Sequence, residues 1–164
     1  MDSVSLAALV PTGLLLLALA AGAVVFVGDG ARVIAFPYPV DYGEGPLLAQ
    51  TEALGRGESI YRADLSAPPY TISNYPPLYP LVLSPVARLA GSAFWYGRLL
   101  SWLSILAAAL LVGAILHALT RDRLAAVIGA LFLLAFPPAS YWASLYRVDA
   151  LALALSLGGL CLCV

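Results

Sequence analysis

The sequence predicts an all-α membrane protein, a polytopic helix bundle, and three observations carry that prediction. Apolar residues fill 62% of the 164 positions and charged residues only 10%, against about 45–50% and about 25% in water-soluble domains. The mean hydropathy is +0.94. The apolar residues also fall in runs near the length that crosses a bilayer, with most acids and prolines gathered between two of them. A lipid-exposed segment must satisfy its own backbone polar groups, so such runs are helices. The net charge of −1, with Arg at every one of eight cationic positions, offers no basic stripe for nucleic acid.

The first run, residues 5–27, is about 23 residues long, enough to cross the hydrocarbon core. Its stretch 14–23 resembles a signal-peptide core, but Met1, Asp2 and Ser3 lack the cationic start of one. It therefore reads as a retained span. Residues 28–91 form one long mixed loop. Ser92 suits an N-cap for a second span over 92–119, and Thr120, Arg121, Asp122 and Arg123 make a tight polar turn. A third span over 124–142 is bent or ended by Pro137 and Pro138. After a short loop, 143–149, residues 150–164 begin a fourth span. Its length of about 15 residues falls short of the ~20 needed, so the sequence reads as the N-terminal part of a longer multi-span protein.

The turn holding Arg121 and Arg123 has the densest cations, which assigns it and the N-terminus to the cytoplasm and loop 28–91 to the outer face of the plasma membrane. Cys161 and Cys163 stand two apart in an apolar run without His or acid and read as buried packing.

The long loop carries its own short juxtamembrane helices. Gly45 and Pro46 suit a helix start, Gly55 and Gly57 a stop, and Leu47, Leu48, Thr51 and Leu54 supply an apolar face between them. A second helix is predicted over 77–91, with Pro85 as a kink and Leu78, Leu81, Val82 and Val86 as its apolar face. Tyr70, Tyr75 and Tyr79 suit the headgroup level, so the loop is expected to lie along the bilayer.

Four places can carry chemistry. Asp41 and Glu44 are carboxylates three apart just beyond the first span. Partial desolvation at headgroup depth makes a carboxylate a better base; the alternative is a solvated turn with a helix-capping acid. Arg147 and Asp149 sit at a span boundary, where charges face a cavity or a partner, or else Arg147 snorkels and Asp149 caps the next span. Arg98, just inside the second span, offers a planar fork that fits phosphate, or snorkels. The Asn74–Pro80 stretch is stiffened by Pro76 and Pro77 and otherwise reads as a structural turn. His117 lies on the side away from the carboxylates. Walker, zinc, GxSxG and dinucleotide motifs are missing.

Taken in order, these motifs resemble the GT-C membrane glycosyltransferases, most closely the bacterial relatives of the protein O-mannosyltransferases and lipid A aminoarabinose transferases. The matching strings are Asp41 to Gly45, then Leu54-Gly55-Arg56-Gly57, Tyr61, Tyr75-Pro76-Pro77-Leu78-Tyr79, Gly97-Arg98-Leu99-Leu100-Ser101 and Arg147-Val148-Asp149-Ala150-Leu151. The resemblance implies an inverting enzyme that moves a sugar from a polyprenyl-phosphate donor to an acceptor hydroxyl of a lipid, glycan or protein at the outer face. It implies Asp41 as catalytic base, with Glu44 as the fallback. It implies Arg98, Arg147, Asp149 and Tyr79 as substrate-binding candidates. A divalent metal, Mg or Mn, is implied for some members, with Asp41 and Asp149 as its candidate ligands here. The chain departs from the family at Tyr42, where many relatives carry a second acid, and at Tyr75, where many carry a base. Without the family's C-terminal part the fragment is expected to be inactive alone. A secondary-transporter fragment, which would use broken helices and midplane charges, and a non-catalytic assembly or lipid-binding protein stay open as alternatives.

Overall fold

The computed structural model describes residues 6–62, 64, 66–68, 70 and 72–164, with side chains from residue 9 onward. The expected span start at Ser5 lies outside these residues. Among the described residues all regular secondary structure is helical: α1 (Leu6–Ala35), α2 (Glu44–Gly55), α3 (Leu78–Ala90), α4 (Trp95–Thr120), α5 (Arg123–Ala135), α6 (Pro137–Ala143) and α7 (Asp149–Cys161).

Two helical stretches are long and apolar enough to cross a membrane, Leu9–Ala35 and Trp95–Thr120, and the bent pair α5–α6 makes up to three. Leu14, Leu17 and Val24 of α1 stand more than half exposed, and a helix that is apolar all round yet uncovered by protein is suited to lipid. The predicted end at Val27 is eight residues early. Asp29 and Arg32 read as loop residues in sequence, but one turn apart they pair at 2.8 Å on the exposed face of a continuing helix.

The third predicted span is broken at its proline pair. Phe136, ahead of Pro137, adopts φ −73° and ψ 112°, the extended region that a following proline enforces, and α5 and α6 diverge there by 61°. Helix α4 begins at Trp95 rather than Ser92, because Ala93 and Phe94 are drawn onto the apolar cluster beneath them. The polar turn ends α4 on a left-handed Arg121 and starts α5 with Asp122 Oδ1 accepting from the Leu124 N–H at 2.8 Å. Cys161 is partly exposed and Cys163 exposed, so neither is the buried packing residue expected.

Helix α4 is the post of the fold, with α5 and α7 against its length and α2 and α3 paired over one end. Two clusters form the core. Phe26, Ile105, Ala143 and Ala150 join α1, α4, α6 and α7. Leu47, Leu48, Tyr79, Leu83, Ala87, Tyr96 and Tyr146 join α2 and α3 to the start of α4. In α3 the predicted apolar face divides: Leu78, Leu81 and Val82 are about half exposed, Val86 packs against the core cluster, and Tyr79, Pro80, Leu83, Ser84 and Ala87 are buried. A short helix with an uncovered apolar stripe fits a membrane interface.

Gly97 fixes how closely segment 144–148 approaches α4. A methyl group built there would overlap the ring of Tyr146, which is fully buried edge-on to Tyr79, Phe94 and Tyr96. Gly97→Ala is expected to destabilise the protein by about 1–3 kcal/mol through overpacking, read as a lowered unfolding temperature in detergent.

Candidate functional site

The site is built around a buried guanidinium. Arg98 and Glu44 are both completely enclosed. Arg98 Nε and Nη2 donate to the two Glu44 oxygens at 2.8 Å each. Arg98 Nη1 donates to the carbonyls of Val33 and Phe36, and Nη2 also to that of Tyr38. Five N–H groups therefore meet five acceptors, and the Val33 carbonyl in the last turn of α1, with those of Phe36 and Tyr38 just past its end, faces a cation that suits a helix C-terminus. Its ring neighbour Phe94 lies 5.0 Å away.

This corrects the sequence reading of Arg98 as a phosphate ligand: every donor is already used, and no solvent reaches the group. Arg98 joins the end of α1 to the start of α2.

Glu44 is the other half of that joint. Beyond Arg98, its Oε1 accepts from the Tyr146 N–H at 2.8 Å and its Oε2 from the Val40 N–H at 2.7 Å and the Asp41 N–H at 3.3 Å. Burial alone would push its carboxyl up, but the Arg98 guanidinium and the N–H groups of Tyr146 and Val40 outweigh that and hold it below the usual carboxylate range. A carboxylate so enclosed cannot collect a proton from a substrate, so the fallback role of base does not fit it. Glu44 also explains why α2 starts two residues before the predicted Pro46. Its side chain reaches back over the preceding turn, much as the acid of a capping box does.

Asp41 and Arg147 meet at the open side of this joint, 106 positions apart in sequence, with Arg147 Nη1 donating to Asp41 Oδ2 at 3.1 Å. The same oxygen accepts from the Gly43 N–H at 2.9 Å. Oδ2 thus closes a local turn ahead of α2 and caps none of its helical N–H groups, while Oδ1 has no partner among the described residues and is not sealed from solvent. Gly43 gives the pair its room, since a methyl there would lie 3.0 Å from Asp41 Oδ2 and 3.2 Å from Arg147 Nη1.

Arg147 Nε donates to Asp149 Oδ2 at 3.1 Å, and the guanidinium stacks 4.6 Å from the Trp142 ring centroid. Burial pulls the Arg147 group down, but Asp149 and Asp41 outweigh it and raise it further above physiological pH. Its Nη2 donates to no described residue. Asp149 is the first residue of α7 but caps nothing; its side chain turns to Arg147 instead.

Tyr79 does not present its ring to the surface. It is buried, with its hydroxyl donating to the Gly97 carbonyl at 2.7 Å and sharing a 2.8 Å hydrogen bond with Ser101 Oγ. Ser101 in turn donates to the Arg147 carbonyl at 3.0 Å and accepts from its N–H at 3.4 Å. Burial pushes the Tyr79 phenol well above its ordinary range, so it stays protonated. It props the Arg147 main chain and does not reach a substrate. Ser101 and Thr51, which accepts from the Tyr146 hydroxyl at 2.7 Å, belong to the same scaffold and were not foreseen. Ser101 lies three positions from Arg98 on one helix face and closes the Gly97-Arg98-Leu99-Leu100-Ser101 string, but neither signal gave it a partner.

An apolar groove of about 300 Å³ runs from Arg147 and Asp149 along α4, α6 and α7, lined by Ile105, Pro138, Trp142 and Leu153. Of the expected metal ligands, Asp41 and Asp149 are bridged by the Arg147 guanidinium, and among the described residues no three His, Cys, Asp or Glu side chains converge. No family model matches the chain, and no curated protein or solved structure matches it.

Proposed function

We propose that the chain is part of a polytopic membrane glycosyltransferase that takes a sugar from a polyprenyl-phosphate donor at the outer membrane face. The observation that carries this reading is that Arg147, which lines the apolar groove, also pairs with Asp41. A lipid-linked sugar phosphate needs an apolar channel for its tail, a fixed cation for its phosphate and a base for the incoming hydroxyl. Here one Arg with a spare N–H, one carboxylate with a free oxygen and one groove adjoin.

In the transfer, the acceptor hydroxyl oxygen attacks the anomeric carbon from the face opposite the phosphate, and its proton passes to Asp41 Oδ1. The new C–O bond forms as the bond from the anomeric carbon to the phosphate oxygen breaks. The electron pair leaves with polyprenyl phosphate, whose growing charge the Arg147 guanidinium stabilises. Glu44, Arg98, Ser101 and Tyr79 act through Asp41 and Arg147 as positioning residues.

Arg147→Lys keeps the charge and loses the planar fork. Its loss of charge-assisted hydrogen bonds, about 1.5–3 kcal/mol, is expected to raise the donor KM about 10- to 100-fold. The reading itself is tested with membranes holding the full-length protein and a panel of radiolabelled polyprenyl-phosphate sugars. Labelled product is expected from at least one donor, with polyprenyl phosphate released in equal amount. No transfer from any donor would contradict it, and the broken α5–α6 helix pair would then favour a transport role.

A further inference from the structure

Arg147 also lines a second cavity, of about 230 Å³, between α2 and residues 72–75. Its walls include Tyr42, Pro46, Gln50, Asn74 and Tyr75. The wall opposite α2 is tethered: Gln50 Nε2 donates to the Ile72 carbonyl at 3.4 Å, Ser73 Oγ donates to Gln50 Oε1 at 3.5 Å, and the Tyr61 hydroxyl donates to the Tyr75 carbonyl at 3.1 Å. The groups it leaves unused are polar. The Asn74 carboxamide, the Tyr42 and Tyr75 hydroxyls and Arg147 Nη2 have no hydrogen-bond partner among the described residues.

We infer that this cavity seats a single pyranose ring. A ring of hydroxyls, each both donor and acceptor, matches a carboxamide and two phenols, and its C–H faces suit tyrosine rings. The volume lies below the roughly 300–1,000 Å³ of pockets for larger ligands, which fits one sugar and not a chain of them. Arg147 borders both this cavity and the apolar groove. A donor with its tail in the groove and its phosphate on Arg147 would carry its sugar into the cavity, with Asp41 reached through its pairing with Arg147. The inference rests on the transferase reading; the same ring chemistry could instead come from a saccharide acceptor.

The test uses full-length protein in lipid nanodiscs, with polyprenyl phosphate, polyprenyl-phosphate mannose and polyprenyl-phosphate glucose as probes. Wild type is compared with Asn74→Ala and Tyr75→Ala, both at exposed positions outside the core. A donor-sugar site predicts that one sugar-bearing lipid binds about tenfold tighter than polyprenyl phosphate. Both variants should abolish that gain and leave binding of polyprenyl phosphate unchanged. If donor binding is untouched but the KM for a methyl-glycoside acceptor rises about tenfold, the cavity seats the acceptor ring. Wild-type behaviour of both variants in binding and transfer would overturn the cavity's role while leaving the transferase reading in place. Failure of all three lipids to bind would overturn both.

Discussion

Arg98→Ala should be among the most damaging single substitutions in the chain. It would leave Glu44 ionised, enclosed and without its guanidinium, and strip the cap from the Val33, Phe36 and Tyr38 carbonyls. Breaking a buried pair from one side costs about 3–5 kcal/mol, a large share of the ~5–15 kcal/mol that holds a typical domain together. Arg98→Lys should recover little, because three donors on a point charge cannot span five acceptors. The double variant Arg98→Met with Glu44→Gln should be less damaged than Arg98→Ala alone, since it buries no unpaired charge. Unfolding temperature and the folded fraction in detergent read all three; an Arg98→Ala protein as stable as wild type would sink the account of the joint.

The same pair sets a pH dependence. Glu44 holds its proton less tightly folded than unfolded, where its ordinary value is 4.5. Its contribution is therefore fully present above about 4.5 and is lost as pH falls below that, through the folded value. Glu44→Gln should remove this acid-side loss.

What could be read from sequence was what local pattern controls. The apolar runs of α1 and α4, the polar turn at Arg121 and Asp122 and the proline break before α6 all follow from composition and backbone chemistry within a few residues. The periodicity of α3 marked its apolar residues but could not say what would cover them: Leu78, Leu81 and Val82 face out, while Val86 packs on the core. Hydropathy ended α1 at Val27 because it scores Asp29 and Arg32 separately, not as a pair one turn apart. The site was less legible still. Arg98 stood out as a guanidinium in an apolar run, yet its carboxylate lies 54 positions away and its other acceptors are carbonyls, which carry no side-chain signature. Asp41 and Arg147 were each singled out, but nothing in their spacing foretold that they touch. Tyr79 was assigned to the surface from the amphipathic character of its ring; Gly97 and Ser101, eighteen and twenty-two positions on, provide the buried niche that takes it in.

Asp41→Asn should have the largest effect on chemistry with a small effect on fold. The amide oxygen can still accept from the Gly43 N–H, and the Glu44–Arg98 joint behind it is untouched. What goes is the carboxylate oxygen that would take the acceptor proton, and a general base is worth about 10²–10⁴ in rate. The transfer rate of full-length Asp41→Asn, measured against wild type in nanodiscs with the donor that wild type uses, tests the central claim most directly. A fall of about 10²–10⁴-fold, with unfolding temperature and polyprenyl-phosphate binding near wild type, is the result expected. Transfer at the wild-type rate would contradict the claim that Asp41 is the base.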